Sequence, residues 1–288
     1  MGVITYKCPN CDGGLVFDPS SQKYHCEFCL SNFTQEELDQ EYSQGPDHGR
    51  EPEYSQDQEH SQNQEHSQAV LYNCPSCGAQ IVTDETTAAT FCYYCHNPVV
   101  LSGRLSGEFA PDHVIPFQID RDKAKEIFAQ WIKKKKYVVD EFYSSKQVES
   151  MTGVYFPYWL YGCKVDGVLD AQGKKLRTWD TGNMRYTETQ VYDIQRQGTM
   201  DVDNVARNGL RKANRQLIDG VLPFRMEEKK PFSMGYLSGF MAENRDMEKD
   251  QFVTDVKTEV KTFALQSLQS QAGSYNSLQI RRKDAQFR

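Results

Sequence analysis

The sequence CPSC at residues 74–77 and the sequence CYYC at residues 92–95 are separated by fourteen residues. Two cysteines with two residues between them place two sulfurs on one tight turn, and two such turns supply four thiolates to one Zn²⁺. The spacing therefore predicts a zinc ribbon held by Cys74, Cys77, Cys92 and Cys95. Because four thiolates leave no open coordination position, the predicted zinc is structural and not catalytic.

The same pattern occurs sixty-six residues earlier, as CPNC at residues 8–11 and CEFC at residues 26–29. Fourteen residues again separate the two pairs, which predicts a second ribbon held by Cys8, Cys11, Cys26 and Cys29. The match extends beyond the ligands, as expected of a duplicated module: Tyr6 aligns with Tyr72, Pro9 with Pro75, Val16 with Val82, Asp18 with Asp84 and Phe28 with Tyr94. We therefore predict two Zn²⁺ per chain, and expect the metal to supply much of the folding free energy of each small module.

Composition is that of a globular protein. The chain has 288 residues, 38% hydrophobic and 25% charged, with a mean hydropathy of -0.70. It contains no apolar run of eighteen residues, so no membrane-spanning helix is expected. Eight of the nine cysteines fall in the two quartets, and the amino terminus lacks the pattern of a signal peptide. These features predict a cytoplasmic protein that uses its cysteines for metal and not for disulfides.

The predicted fold class is α+β, with two small zinc ribbons plus a carboxyl-terminal antiparallel β domain with two or three helices. Four segments are predicted: a first ribbon at 1–34, an acidic low-complexity linker at 35–69, a second ribbon at 70–102 and an α+β domain at 103–288. The linker repeats the sequences EYSQ and EHSQ, and it is too polar to offset the entropy of ordering. After a helical turn at 35–42 we expect it to be flexible and to uncouple the two ribbons, with His48, His60 and His66 in solvent.

Periodicity predicts the elements of the last segment. A helix is expected after the N-cap residue Asp120, with Ala124, Ile127, Phe128, Trp131 and Ile132 on a core-facing side. Residues 153–198 predict a β-meander with turns at 166–167, 172–173 and 182–183. Further predictions are a short helix at 202–219, a longer helix at 248–270 and a last strand at 275–281.

Two local features have competing interpretations. The four lysines at 133–136 are expected either at a solvated helix end, where cations complement the helix dipole, or in contact with anionic lipid. His25 and His96 adjoin ligand cysteines and are expected to be surface residues, while Cys163 is expected to be a packed thiol. No phosphate loop, GxSxG, HExxH or GxGxxG motif is present, so we predict that the chain is not an enzyme.

Charge distinguishes the functional hypotheses. Residues 1–100 contain three Lys or Arg against fifteen Asp or Glu, whereas binding to a phosphate backbone requires cations. We therefore favour a scaffold that binds protein partners, with Phe28, Leu30, Tyr93 and Tyr94 as candidate anchors. The alternative is a nucleic-acid-binding or transcription-factor-like ribbon protein, which would have to use the basic residues near Lys133 and at 281–283. An enzyme would require a polar pocket in the β domain.

Together with the ribbons, three stretches carry a family resemblance: VIPFQIDRDKAKEIFAQW at 114–131, GVYFPYWLYGCKVDG at 153–167 and PFSMGYLSGFMAE at 231–243. The chain resembles bacterial TFIIB-type double zinc-ribbon proteins, and within them the YdjG type of Bacillus. The resemblance implies that the eight ribbon cysteines are the metal ligands. It also implies PspA-like phage-shock proteins and membrane proteins as partners, in a membrane-stress assembly at the inner face of the cell membrane. Similar proteins continue past the position of Arg288, so relative to the family the last domain is expected to be incomplete.

Overall fold

In a computed structural model of the chain, the described residues are 3–44, 70–137 and 148–288. Most of the predicted linker, from residue 45 to residue 69, lies outside them together with its three histidines. The fold is mixed α and β, with mostly sheets and few helices. It divides into unit 1, Met1–Pro157 with Leu210–Asp246, and unit 2, Tyr158–Gly209 with Met247–Arg288.

The strands and α-helices of the described residues follow one another in this order. The first part contains β1 (Leu15–Asp18), β2 (Lys23–Cys26), β3 (Asn32–Phe33), α1 (Gln35–Gln44), β4 (Val70–Asn73), β5 (Gln80–Thr83), β6 (Thr87–Phe91), β7 (Pro98–Val100), β8 (His113–Val114), α2 (Arg121–Ile132) and β9 (Val154–Tyr155). The second part contains β10 (Tyr158–Thr181), β11 (Met184–Asn208), α3 (Arg215–Asp219), β12 (Lys230–Pro231), β13 (Met241–Glu243), α4 (Val253–Ser270) and β14 (Ser277–Phe287).

The first cysteine module of unit 1 is built on the antiparallel pair β1 and β2, with β3 beside β2. Alternation along these strands buries Leu15, Phe17 and Tyr24 in one core with two of the cysteines. Helix α1 begins with a capping box, because the Thr34 amide donates to the Glu37 carboxylate and the Glu37 amide donates to the Thr34 hydroxyl. The predicted helical turn at 35–42 is thus part of a helix that reaches residue 44.

The second module pairs β4 with β5 and β6 with β7. Its core contains Tyr72, Ile81 and Val99 around two further cysteines. The buried side chain of Arg104 holds the turn between β5 and β6. Its Nη1 donates to the carbonyl of Asp84 at 2.6 Å and to the carbonyl of Thr87 at 2.8 Å. These bonds are part-buried and buried respectively, so the Arg104 guanidinium replaces water that the two carbonyls would otherwise require.

A segment at residues 231–243, here called the connecting segment, completes both modules of unit 1. The Phe17 amide on β1 donates to the Ser238 carbonyl at 3.0 Å, and the Ser238 hydroxyl donates to the Leu15 carbonyl. A few residues later β13 pairs antiparallel with β6 and parallel with β9. The connecting segment therefore hydrogen-bonds to β1 of the first module and to β6 of the second.

Helix α2 of unit 1 starts where it was predicted, because the Asp120 carboxylate accepts a hydrogen bond from the Lys123 amide at 2.7 Å. The predicted core-facing side is only partly right. Ile132 is buried, whereas Ile127 is 45% and Trp131 is 51% exposed. The predicted helix period is correct, but the part of unit 1 that the structure describes covers only one flank of the apolar side.

Unit 2 is a three-stranded sheet in the order β11-β10-β14, with α4 packed on one face. The strands β10 and β11 form one hairpin of 24 and 25 residues. Its turn lies at Gly182, which has a left-handed φ of 59°, and Asn183. Val256, Val260, Ala264 and Leu268 form the buried stripe of α4, so the predicted helix is present but Ala264 replaces the predicted Phe263, which is 56% exposed.

The predicted β-meander was wrong at two of its three turns, because residues 166–167 and 172–173 lie inside β10. Glycine serves there for close approach and not for a turn. A Cβ atom at Gly167 would lie 2.6 Å from Leu268 Cδ1, and one at Gly173 would lie 2.5 Å from Tyr275 Cδ1.

The predicted helix at 202–219 was also mostly wrong. Its first residues continue β11 to Asn208, and only the five residues of α3 are helical, capped by the Asn214 side chain. None of the helices in the described ranges combines the length and apolarity that a bilayer crossing requires. The four predicted segments stay a prediction, and the contacts group both cysteine modules with residues 103–157 and 210–246 in unit 1.

Candidate metal centres

The eight cysteines of the two predicted quartets come together in two groups, and each group is assembled from two turns. In the first module one turn precedes β1 and the other links β2 to β3. In the second module one turn links β4 to β5 and the other links β6 to β7. Within each group the four sulfur atoms lie within 4.8 Å of one another.

All four turns share one backbone geometry. The residue after the second cysteine of each pair has a left-handed φ between 57° and 75°, and its amide donates to the carbonyl of the first cysteine at 2.8 or 2.9 Å. The next residue accepts a hydrogen bond from the amide of the first cysteine at 2.7 to 3.0 Å. The left-handed residues are Asp12, Leu30, Gly78 and His96.

Only one of these four positions is a glycine. A left-handed φ is strained for ordinary residues and persists where the surroundings enforce it. Leu30 and His96 adopt it at φ 59° and 57°, in turns that also hold two cysteines each. The repeated strain indicates that positioning of the sulfurs determines the conformation of these turns.

Sulfur spacing tests whether the groups fit a metal ion. In a tetrahedral site with Zn–S bonds of about 2.3 Å, neighbouring sulfurs lie about 3.8 Å apart. The Sγ atoms of Cys8 and Cys29, and of Cys11 and Cys26, are 3.5 Å apart. The corresponding pairs in the second module, Cys74 with Cys95 and Cys77 with Cys92, are 3.7 Å apart. Both groups therefore have the donor type and the size that a tetrahedral divalent cation requires.

The pKa values of the thiols differ strongly within each group. Hydrogen bonds from the side chain and the amide of Ser31 lower the pKa of Cys29 to about 6. At Cys95, burial and the neighbouring thiols raise the pKa to about 12. The same contrast occurs within each group, because the pKa of Cys11 in the first group is also raised to about 12 and the pKa of Cys92 in the second is lowered to about 7. A bound cation would stabilise all four thiolates at once.

Burial follows one rule in all four turns. The first cysteine of each pair, namely Cys8, Cys26, Cys74 or Cys92, is buried in the core of its module. The second cysteine is exposed at Cys11, Cys29 and Cys77 and half-buried at Cys95. Each group therefore lies at the edge of a module, with one side against the core and the other toward solvent.

The histidines next to the cysteines lie outside both groups. His25 instead pairs through Nδ1 with the Asn32 side chain at 3.0 Å, and His96 is exposed in its left-handed turn position. Cys163 lies in β10 of unit 2, half-buried, and burial raises its pKa. Sequence reasoning missed Ser31, whose bonds to Cys29 distinguish the first group. Its position directly after a turn was the available signal.

Fold and site together define a mixed α+β protein with two four-cysteine groups that could each hold a metal ion. The chain belongs to the family of YdjG. It is 30% identical over 283 residues to the uncharacterized protein YdjG of Bacillus subtilis (strain 168), and the match covers 98% of this chain and 77% of that protein. No family model matches the chain, and no solved structure matches it significantly.

Proposed function

We propose that the chain is a zinc-dependent, non-enzymatic scaffold of the TFIIB-type double zinc-ribbon class. The eight cysteines would hold two Zn²⁺, one per module, and the metal would supply folding free energy and not chemistry. The sulfur spacing and the repeated turn geometry support zinc, because thiolate tetrahedra are its usual structural site. Closure by four thiolates supports a structural role, since no position remains for a substrate.

The observation that carries the scaffold role is the set of apolar side chains at the turn tips. In each module the second turn, which follows β2 or β6, projects two large apolar side chains into solvent. The exposed fractions are 72% for Phe28, 68% for Leu30, 70% for Tyr93 and 73% for Tyr94. Large apolar and aromatic side chains held on a rigid turn are the residues that anchor protein interfaces.

The first turn of each module differs. Its inner residues are Pro9 and Asn10 in the first module and Pro75 and Ser76 in the second. Both modules thus carry their exposed apolar side chains on the second turn. This shared position is expected if both modules bind a partner through the same kind of interface. The ring of Phe28 also packs against Gly13, because a Cβ atom at Gly13 would lie 2.5 Å from Phe28 Cδ2. The backbone at Gly13 therefore supports the Phe28 side chain.

The local charge supports a protein partner over a nucleic acid. Lys7 and Lys23 are the basic residues of the described ranges up to residue 100, and Lys7 is paired with Asp12 at 3.4 Å. A phosphate backbone would find few cations there. For the identity of the partner, the resemblance to TFIIB-type proteins suggests a PspA-like protein, in an assembly at the cytoplasmic face of the membrane.

The test is binding of a purified PspA-like protein to the zinc-loaded chain. We expect Leu30→Asp and Tyr93→Asp to abolish binding while two zinc ions per chain remain. Leu217→Asp is the matched control, because Leu217 is equally exposed, at 72%, but lies on α3. Unchanged binding by both tip variants would contradict the scaffold proposal. Tight binding to DNA or RNA at physiological salt, lost in the tip variants, would favour the nucleic-acid alternative.

A further inference from the structure

Helix α2 leaves large apolar side chains in solvent along one flank. Ile127 and Trp131 lie one helical turn apart and are 45% and 51% exposed. Ile119, just before the helix, is 46% exposed, and Tyr137, just after it, is fully exposed. Ile132 at 4% exposure marks the opposite side, where the helix packs in unit 1. Within the described residues 3–44, 70–137 and 148–288, the flank is therefore an uncovered continuation of the apolar side of the helix.

A cluster of cationic side chains follows helix α2 directly in the sequence. Residues 133–136 are four consecutive lysines, all exposed, and Lys135 Nζ lies 4.7 Å from the centre of the Trp131 ring. The carboxylates of the helix are already used within it, since Glu126 pairs with Lys123 and Asp122 pairs with Lys125. The sequence from residue 119 to 137 contains seven basic residues against three acidic ones. This excess is a local reversal in a chain whose first hundred residues are strongly acidic.

We propose that this surface, defined as Ile127, Trp131 and lysines 133–136, binds the headgroup region of an anionic lipid bilayer. Tryptophan and tyrosine concentrate where membrane meets water, because their rings are apolar and their N–H or O–H groups are polar. Basic residues next to such rings are attracted by the negative surface potential of anionic lipids. Apolar insertion and charge attraction here act on the same end of one helix.

The chemistry of the run favours lipid over an acidic protein. Lysine carries a compact point charge on a flexible stem, whereas arginine is the residue suited to fixed two-point recognition of carboxylates. The run contains four lysines and no arginine. Lipid headgroups diffuse laterally and can approach all four ammonium groups, while a protein would have to place several carboxylates in matching positions.

The meaning of this surface in the cell rests on the proposed function, but its physical basis is separate from the turn tips. Vesicle binding depends on α2, and partner binding depends on Leu30 and Tyr93. Failure of one assay therefore leaves the other interpretable.

The experiment measures partitioning of the zinc-loaded full chain onto phosphatidylglycerol/phosphatidylethanolamine vesicles and onto phosphatidylcholine vesicles. We expect binding to the former only, weakened by added salt. Each lysine near an anionic surface contributes about fivefold in partitioning. The variant Lys133→Gln/Lys134→Gln/Lys135→Gln/Lys136→Gln should therefore bind about two to three orders of magnitude more weakly.

A second variant, Ile127→Ser/Trp131→Ser, tests apolar insertion. It should also lose binding, together with the blue shift of tryptophan emission that vesicles induce in the unaltered chain. The matched control is Arg281→Gln/Arg282→Gln/Lys283→Gln, which removes a basic run from β14 and should bind normally. Circular dichroism of each variant verifies folding, and these positions, exposed except for the half-buried Lys283, should tolerate the changes.

Three results would overturn the proposal. The chain could fail to bind anionic vesicles at all, or it could bind them equally well in the four-lysine and Ile127/Trp131 variants. It could also ignore vesicles but bind poly-glutamate through the four lysines, which would assign the surface to an acidic polypeptide.

Discussion

The Ile4 amide donates to the Val100 carbonyl at 2.9 Å, and the Val100 amide donates back to the Ile4 carbonyl at 3.0 Å. This reciprocal pair joins the start of the first module to β7 of the second. Together with the connecting segment, it links two modules that the sequence predicted to be independent. Loss of the metal ion from one module should therefore destabilise the other module as well.

Removing the second metal group should test this coupling. We expect Cys74→Ser/Cys77→Ser to lower the zinc content from two ions to one, as measured by elemental analysis. Disorder in the second module should also break the Ile4–Val100 pair, which costs about 2 kcal/mol beyond the metal's own contribution. Hydrogen exchange should then accelerate at the Ile4 and Phe17 amides. Cys163→Ser is the control, and unchanged exchange at Ile4 and Phe17 would show that the modules are independent.

Metal retention by the first module should depend on Ser31. Because the pKa of Cys29 is held at about 6, below the ordinary thiol value, its thiolate contribution is present at high pH and lost as the pH falls through about 6. The change Ser31→Ala removes the side-chain bond and should raise that pKa, so zinc should leave the first module at higher pH. A chelator-coupled pH titration measures the shift. Ser76→Ala, in an exposed turn of the second module, should leave the release curve unchanged.

The close approach of α4 to β10 can be tested at two glycines that face each other. Gly167 and Gly198 are cross-strand partners, but an added Cβ meets Leu268 at the first and nothing within 4 Å at the second. We expect Gly167→Val to lower the free energy of unfolding by about 1–3 kcal/mol through overpacking. Gly198→Val should change it by less than about 0.5 kcal/mol. Urea unfolding of the full chain compares the two, and equal effects would mean that α4 does not restrict Gly167.

Arg104 should be a stabilising residue of the second module. Arg104→Met would leave the Asp84 and Thr87 carbonyls without their donor, at a cost of about 1–3 kcal/mol. The same measurement on Arg211→Met should show almost no change, since the Arg211 side chain is exposed. A neutral result for Arg104→Met would indicate that water replaces the guanidinium.

The sequence predicted the cysteine groups well because their chemistry is local. Spacing within a turn places two sulfurs, and Gly78 even signals a left-handed position. Leu30 and His96 give no such signal, since their conformation is imposed by the site. The apolar side chains at the turn tips were also foreseeable, because they lie between or directly after ligand cysteines, although the structure was needed to show that they are exposed.

The wrong predictions concern residue types that serve two structural purposes, and contacts between residues that are far apart in the sequence. Gly167 and Gly173 were interpreted as turns because glycine is common in turns, whereas here it admits Leu268 and Tyr275. The three residues of β13 are too few for periodicity, so its pairing with β6 could not be foreseen. The apolar side of α2 was recognised, but how far other elements cover it depends on the whole of unit 1.

The connecting segment also sets an order of events on the ribosome. The last residue of β7 is Val100, whereas β13, which completes the sheet beside β6, ends at Glu243. At a synthesis rate of about 5–20 residues/s, roughly 7–30 s separate their emergence. During that interval both cysteine quartets are complete, but the connecting segment that hydrogen-bonds to β1 and β6 has not yet been synthesised. Capture of a metal ion is then the step that can close a module, so metal supply during translation should influence the yield of folded protein.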